Sequence, residues 1–156
     1  MKRVILARYG EIILKGLNRP VFEDALIKNI RGALRSVCEV DIHKAQANIY
    51  ITPKDDDKTD EVIDVLKHVF GVVSIIEAYE CPKDIDNICS AVTEIFADKL
   101  TKAKTFKVEA KRADKKFPLK SPEICMETGG AILSKFNHLK VDVHNPDVTE
   151  IGRAHV

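Results

Sequence analysis

The first 80 residues alternate between strand-like and helix-like apolar patterns in the order βαββαβ. Apolar residues fall at every second position or in short runs where a strand is expected, and every three or four positions where a helix is expected. The six segments are expected at residues 4–7, 18–37, 37–43, 47–52, 59–71 and 72–79. Their order and lengths predict a ferredoxin-like split βαβ sandwich.

Cys81-Pro82-Lys83 indicates a boundary after this sandwich, because proline does not readily continue a strand. We therefore predict an α+β protein with a first domain over residues 1–80 and a second, α/β domain over residues 81–156. The second domain is expected to contain a helix from Asp84 to Leu100, a strand over 105–111, a helix from Ser121, a strand from Val141 and a strand in the last residues.

The helix from Ser121 has a well-marked start, since Ser121-Pro122-Glu123 combines a capping residue, a proline and an acid. Its predicted inward residues are Cys125, Thr128, Gly129, Ile132, Leu133 and Phe136. Gly129-Gly130 in the helix interior costs roughly 1 kcal/mol per glycine relative to alanine. We predict that another backbone approaches this pair closely, with a loosened helix as the alternative.

The composition is that of an ordinary globular protein, with 45% apolar and 31% charged residues. No apolar run approaches the roughly 20 residues that cross a bilayer. Arg8, Gly10 and Glu11 interrupt the first apolar stretch too early for a signal peptide. The four cysteines lie far apart without a C-x-x-C pair, which argues against a metal site or a disulfide scaffold. We expect a cytoplasmic protein with no membrane partner and no metal.

The sequence contains no recognisable catalytic motif. Neither G-x-x-x-x-G-K-[ST] nor G-x-G-x-x-G occurs, and the five histidines are scattered. Asp55-Asp56-Asp57 lacks the spaced oxygens of a calcium-binding loop. We therefore predict no catalytic residue and no cofactor within these 156 residues.

The net charge of +1 conceals a strong segregation of charge. Residues 99–120 hold nine basic and two acidic side chains, and residues 1–20 hold five basic and one acidic. Polyanion binding depends on local positive potential rather than on net charge. The chain is therefore compatible with nucleic-acid binding in spite of its near neutrality.

The densest basic segment, residues 111–120, joins the strand at 105–111 to the helix at Ser121. Its cations suit phosphate charge, and the helix start offers free amides and the positive end of its dipole. Phe117 offers a stacking face for an unpaired base; the alternative is a solvated loop with Phe117 folded inward. The predicted RNA-binding residues of this segment are Lys111, Arg112, Lys115, Lys116, Phe117 and Lys120.

The first domain carries a second predicted RNA-binding set, Arg8, Lys15 and Arg19. We predict that this set and the basic segment of the second domain lie on a common face and contact one nucleic acid. The alternative is intramolecular pairing, for example of Arg8 with Glu11.

Two groups of residues form separate motifs in a fixed order. The first comprises Arg8-Tyr9-Gly10-Glu11, Leu14-Lys15-Gly16, Asn18-Arg19 and Phe22-Glu23. The second comprises Phe106 to Gly130, with Ser121-Pro122-Glu123 and Gly129-Gly130-Ala131, then Val141-Asp142 and Asn145-Pro146-Asp147. The first resembles the opening motif of the tRNA 4-thiouridine synthetases (ThiI), and the second resembles their THUMP domain. The resemblance runs from residue 3 to about residue 148.

The resemblance implies a ferredoxin-like domain followed by THUMP, which together bind tRNA at its 3′ acceptor end. It also implies a C-terminal domain that binds ATP through S-G-G-x-D-S and adenylates uridine 8. Sulfur then arrives as a persulfide from a cysteine desulfurase, and the pathway also supplies the thiazole of thiamine. These 156 residues contain no S-G-G-x-D-S run. We therefore expect the tRNA-binding portion of a longer, ATP-dependent enzyme, with homodimer formation left open.

The tail departs from the family pattern after Val148. The family continues with a longer strand of the type V-E-I-R and then a second strand, whereas here Glu150-Ile151 and Ala154-His155-Val156 surround Gly152. We expect an incomplete final hairpin in the second domain. The alternative to RNA binding is a ferredoxin-like module that senses a small ligand, against which the clustered cations argue. A cysteine-based enzyme would need an activated thiol near a histidine, and nothing in the spacing supports one.

Overall fold

The structure, a computed structural model, describes residues 2–10, 18–45, 48–112 and 114–154. The chain divides into two compact units, residues 1–80 (unit 1) and residues 81–156 (unit 2). Unit 1 contains β1 (Lys2–Tyr9), α1 (Arg19–Leu34), β2 (Val40–Ala45), β3 (Asn48–Pro53), α2 (Thr59–Leu66) and β4 (Val72–Glu80). Unit 2 contains α3 (Ile85–Ile95), α4 (Ala97–Lys102), β5 (Thr105–Arg112), α5 (Ser121–Lys135), β6 (Lys140–Val141) and β7 (Val148–Ala154).

The four strands of unit 1 form an antiparallel sheet in the order β2-β3-β1-β4. Alternate residues of a strand point to opposite faces of a sheet. Accordingly, Ile5 and Ala7 of β1 belong to the core that includes α1 and α2, whereas Val4 and Leu6 belong to a separate apolar cluster. This arrangement confirms the predicted ferredoxin-like fold.

Some element boundaries in unit 1 differ from the predicted ones. β1 continues through Tyr9, beyond the predicted end at Ala7. β2 begins at Val40 instead of Val37, because the amide of Val37 donates to the carbonyl of Leu34 at the end of α1 (3.0 Å). The predicted start of β3 at Ala47 lies outside the described residues.

In unit 2, β5 is the central strand of a parallel sheet in the order β6-β5-β7. Its residue Phe106 is buried in a core with Leu100 and Ile132. The single helix predicted from residue 84 to residue 100 is wrong, because α3 ends at Ile95 and α4 begins at Ala97. The core nevertheless takes apolar side chains from both helices, so the sequence pattern gave no sign of the break.

The glycine pair of α5 lies in open space. A Cβ atom at Gly129 or Gly130 would meet no atom of the described residues within 4 Å, so the predicted close approach of another backbone is wrong for that part of the chain. The helix nevertheless continues through the pair to Lys135. Thr128 and Ile132 are buried as predicted, whereas Leu133 is 38% exposed.

β7 carries an acid on its buried side. Glu150 lies beside Val108 of β5 and is only 7% exposed. Burial raises the pKa of Glu150 to about 7, and the positive charge of Lys99 opposes this rise only in part. The strand itself is continuous from Val148 to Ala154, so the shortened strands expected around Gly152 are wrong for the described residues. His155 and Val156 lie outside the described residues.

Candidate RNA interface

Residues 111–120, the basic loop, connect the end of β5 to the start of α5. Of its five cations, Arg112 is half-buried, whereas four lysines are exposed. These four lysines are Lys111, Lys115, Lys116 and Lys120. The structure therefore presents most of the predicted basic side chains of this segment to solvent, where they can meet phosphate groups.

Phe117 is buried, with 5% of its surface exposed. The predicted stacking role for its ring is therefore not available in this structure, and the inward-folded alternative holds. The physical reason is that an aromatic ring gains more from burial than from exposure in a polar loop. Phe117 thus acts as an apolar anchor in the middle of the basic loop.

Arg112 holds the two ends of the loop together instead of pointing freely into solvent. Its guanidinium donates from Nη1 to the carbonyl of Phe117 (3.3 Å). Its backbone amide donates to Oγ of Ser121 (3.3 Å). The charge of Arg112 still adds to the local positive potential, but its donors are partly used by the protein.

Asp114, the only acid in the basic loop, is also engaged. Its carboxylate accepts a hydrogen bond from the amide of Lys116 (2.9 Å) and another from Nζ of Lys83 (3.4 Å). The hydrogen bond from the Lys116 amide and, secondarily, the charge and hydrogen bond of Lys83 lower the pKa of Asp114. Asp114 is therefore ionised at neutral pH and paired within unit 2.

At the start of α5, the free amides and the positive end of the helix dipole are already partly compensated by residues of the helix itself. Lys120 is the N-cap residue and Ser121 the first helical residue, so α5 begins one position earlier than predicted, where Ser121 was the expected N-cap. Glu123 accepts a hydrogen bond from the amide of Lys120 (2.7 Å), and Pro122 has no N–H to offer. A carboxylate at this position occupies the positive end of the helix dipole. Exposed lysines, more than helix amides, therefore supply the positive potential of the loop.

In unit 1, Arg8 is exposed at the end of β1, where it lies between Asn48 of β3 and Ser74 of β4. Lys15 lies outside the described residues, as does Glu11, so the predicted alternative pairing of Arg8 with Glu11 is not addressed. Of the two described members of this basic set, Arg8 and Arg19, Arg8 is exposed to solvent and Arg19 is partly buried.

Arg19 has a structural role that the sequence analysis missed. Its Nε donates to Oε1 of Glu23 (2.6 Å), and the hydroxyl of Tyr9 donates to the same oxygen (2.8 Å). Nζ of Lys44 lies 3.5 Å from the other carboxylate oxygen. The four-residue spacing of Arg19 and Glu23 in a helix was the available sign.

Glu23 is the centre of this network and is 8% exposed. Burial by itself raises the pKa of Glu23, but the hydrogen bonds from Arg19 and Tyr9 and the nearby positive charges outweigh it, so the pKa is lowered. Arg19 therefore stabilises a buried carboxylate that joins α1 to β1, and its availability to RNA is reduced.

The described residues contain no group of three or more histidine, cysteine or acidic side chains that could hold a metal ion. The four cysteines are free and partly buried, and burial raises the pKa of the Cys38, Cys81 and Cys89 thiols. A raised pKa disfavours the nucleophilic thiolate, which argues against a cysteine-based enzyme. None of the helices in the described ranges combines the length and the apolar character that crossing a bilayer requires.

Comparison with known protein families assigns a domain to each unit. The model of the ThiI ferredoxin-like domain matches residues 4–76, and the model of the THUMP domain matches residues 82–149. Proteins named "Probable tRNA sulfurtransferase" from Acetivibrio thermocellus and Alkaliphilus metalliredigens are each 47% identical over 150 residues. The alignments cover 94% and 95% of this chain but only 38% of each relative.

Two solved structures are similar to the chain over 99% of its length. One is a 4-thiouridine synthetase in complex with RNA and with bound ATP, with a TM-score of 0.83, 33% identity and 39% of that chain covered. The other is PH1313 from Pyrococcus horikoshii Ot3, with a TM-score of 0.84, 31% identity and 51% of that chain covered. The fold and the two-motif resemblance in the sequence thus agree with independent comparisons.

Proposed function

The chain belongs to the tRNA 4-thiouridine synthetase (ThiI) family, of which it carries the ferredoxin-like and THUMP domains, and on this premise we propose that it is a tRNA-binding portion. It positions tRNA for a catalytic domain that these 156 residues do not include. The chain spans 38% of the length of the relatives named above, so their activity is assigned here only to a longer protein.

The observation that carries the proposal is the basic loop of the THUMP domain. Its four exposed lysines flank an inward-facing Phe117, so the positive charge lies outside while the loop is anchored inside. This arrangement suits a phosphate backbone, because lysine is a mobile point charge with three donors. A 4-thiouridine synthetase of similar fold has been crystallised with RNA, which supports the same ligand class here.

The expected mode of binding is recognition of shape and of a single-stranded end. Proteins bind RNA helices mainly by backbone and 2′-hydroxyl contacts, and read unpaired ends by direct contact. If four lysines each neutralise one phosphate of a single strand, log K should fall with log salt with a slope of roughly −3. Arg8 in unit 1 is a further proposed contact, to be tested separately.

The test is a charge reversal, Lys111→Glu with Lys116→Glu, in the 156-residue chain. We expect tRNA affinity to fall strongly and the salt slope to become shallower by roughly 1.5, while the melting temperature stays nearly constant. Filter binding across a salt series measures both quantities. Unchanged affinity would reject the basic loop as the RNA-binding site.

Lys135→Glu with Lys140→Glu is the matched control. Lys135 ends α5 and Lys140 pairs with Thr105 at the start of β5, whereas the basic loop joins the opposite ends of both elements. The two ends of β5 are seven residue steps apart, which corresponds to roughly 23 Å along an extended strand. The control makes the same charge change in the same unit and should have a much smaller effect on affinity.

For the longer protein we propose ATP-dependent 4-thiolation of uridine 8 in tRNA. ATP binds to the further domain, sulfur comes as a persulfide from a cysteine desulfurase, and the same pathway serves thiamine thiazole synthesis. The proposed location is the cytoplasm. A full-length enzyme with the Lys111→Glu and Lys116→Glu changes should lose thiolation through a raised KM for tRNA.

A second copy of the chain is a further proposed partner, and sedimentation equilibrium would decide between monomer and homodimer. The ligand-sensing alternative gains no support from the comparisons, since both matched domains belong to tRNA-modifying proteins.

A further inference from the structure

Asp114 stands in an unexpected position for a residue of an RNA-binding loop. It is the single acid among five cations in residues 111–120. A negative charge near the phosphate backbone should weaken binding, if charge alone determined affinity. Its side chain is nevertheless only 14% exposed, so the carboxylate is turned away from solvent while the neighbouring lysines face it.

The contacts of Asp114 form a turn. Its carboxylate accepts from the amide of Lys116 (2.9 Å), and its carbonyl accepts from the amide of Phe117 (3.3 Å). A short acidic side chain that accepts from the amide two residues ahead is the usual way in which aspartate stabilises such turns. The turn directs Phe117 inward and leaves Lys115 and Lys116 exposed.

Two further contacts fix the turn to the rest of unit 2. Lys83 donates to the second carboxylate oxygen of Asp114 (3.4 Å), and Arg112 donates to the carbonyl of Phe117 (3.3 Å). The basic loop is thus held by the buried ring of Phe117, by the hydrogen bond to the Phe117 carbonyl and by the hydrogen bonds to the Asp114 carboxylate. An ordered loop loses less conformational entropy when its lysines bind phosphates.

We propose that Asp114 is a positioning residue for RNA binding, which sets Lys115 and Lys116 in the geometry that the phosphate backbone requires. This inference rests on the proposed function of the basic loop. It predicts that the acceptor atom of Asp114 matters more than its charge. Removal of this acid should therefore weaken binding, although charge counting predicts the reverse.

The test compares Asp114→Ala with Asp114→Asn. Both variants remove the same negative charge, but asparagine keeps an oxygen that can accept from the Lys116 amide. We expect Asp114→Ala to bind tRNA roughly tenfold more weakly than Asp114→Asn at low salt, which is on the order of one lost phosphate contact. Equal affinities for the two variants, or tighter binding by both than by the unaltered chain, would overturn the proposal.

A third variant, Asp114→Glu, keeps the charge and displaces the acceptor by one methylene. We expect it to weaken binding as alanine does, whereas unaltered affinity would contradict the role of the turn. This variant also keeps the inference testable if Asp114→Ala proves too unstable to assay. Circular dichroism melting of each variant identifies that case.

A readout without RNA examines the order of the loop directly. Trypsin cleaves after lysine, so cleavage after Lys115 and Lys116 in the folded protein reports the opening of the turn. We expect faster cleavage in Asp114→Ala than in Asp114→Asn, and identical rates would count against the turn.

If the Lys111→Glu and Lys116→Glu pair leaves tRNA affinity unchanged, the proposed function itself fails. If that pair weakens binding while Asp114→Ala and Asp114→Asn remain equal, only the positioning role of Asp114 fails.

Discussion

Removal of the Tyr9 hydroxyl should destabilise unit 1 through the buried carboxylate of Glu23. The hydroxyl donates to Oε1 of Glu23 at 2.8 Å, and both residues are 8% exposed. Tyr9→Phe keeps the ring and its packing but deletes this donor. Glu23 then retains Arg19 and Lys44, so the carboxylate stays charged but loses one of its partners.

The size of the effect follows from the kind of hydrogen bond that is lost. A buried hydrogen bond to a charged group contributes about 1.5 to 3 kcal/mol. For a unit of this size, 1 kcal/mol shifts the melting temperature by roughly 4 to 8 °C. We therefore expect Tyr9→Phe to lower the melting temperature of unit 1 by at least about 6 °C.

The three tyrosines of the chain provide a selective assay. Tyr9, Tyr50 and Tyr79 all lie in unit 1, and the chain has no tryptophan, so tyrosine emission reports the unfolding of unit 1 alone. Tyr50 and Tyr79 remain as reporters in the Tyr9→Phe variant. Urea and thermal unfolding followed by this emission give the change in stability.

Tyr79→Phe is the matched control, because its hydroxyl makes an exposed hydrogen bond to Glu77 (3.2 Å). Exposed charged contacts contribute little. An equal loss of stability in the two phenylalanine variants would refute the reasoning from burial. Arg19→Ala should also lower the tyrosine-detected stability of unit 1, while it changes tRNA affinity less than the charge reversal in the basic loop does.

Gly130→Ala should stabilise unit 2 by roughly 1 kcal/mol, because alanine has the higher helix propensity and its methyl group would lie in open space. Gly71→Ala should destabilise unit 1 by about 1 to 2 kcal/mol. Gly71 has φ +98°, and a Cβ atom there would lie 3.3 Å from Leu26. Urea midpoints for the two variants should move in opposite directions, and a destabilised Gly130→Ala would mean that the helix has a neighbour there. The free energy of unfolding of unit 2 should rise by about 2.5 kcal/mol as pH falls from 8 to 5, because burial raises the pKa of Glu150 from the ordinary value of 4.5 to about 7 and protonation therefore favours the folded state. Glu150→Gln should remove this pH dependence in urea unfolding followed by circular dichroism, and a dependence that persists would assign it to another group.

The element order could be predicted from sequence because local periodicity determines it. The strands and helices of unit 1 have the predicted order, and each has an apolar face that must be buried. The division of the helix at Phe96 was not predictable in the same way, since residues on both sides of it contribute to one core. Boundaries depend on single hydrogen bonds, such as that from Val37 to Leu34, which periodicity does not encode.

For the candidate RNA interface, the sequence predicted where the exposed positive charges lie better than it predicted what each residue contacts. The four lysines of the basic loop are exposed because long cationic side chains rarely gain from burial. Phe117 and Arg19 took other roles, because Phe117 is buried and Arg19 is paired with the carboxylate of Glu23. A count of charged and aromatic residues does not show such partners, because they depend on tertiary contacts.

The near neutrality of the chain makes the order of the basic loop more important than it would be in a strongly basic protein. With a net charge of +1, the molecule as a whole attracts a polyanion only weakly. Affinity must then come from a few cations at short range, where energy depends on distance and on salt. In a disordered loop, part of that binding free energy would be offset by the conformational entropy lost when the loop becomes ordered. Retaining one acid in the loop is therefore reasonable if its hydrogen bonds fix the neighbouring lysines, since the loss of one unit of positive charge is smaller than the loss of two aligned contacts.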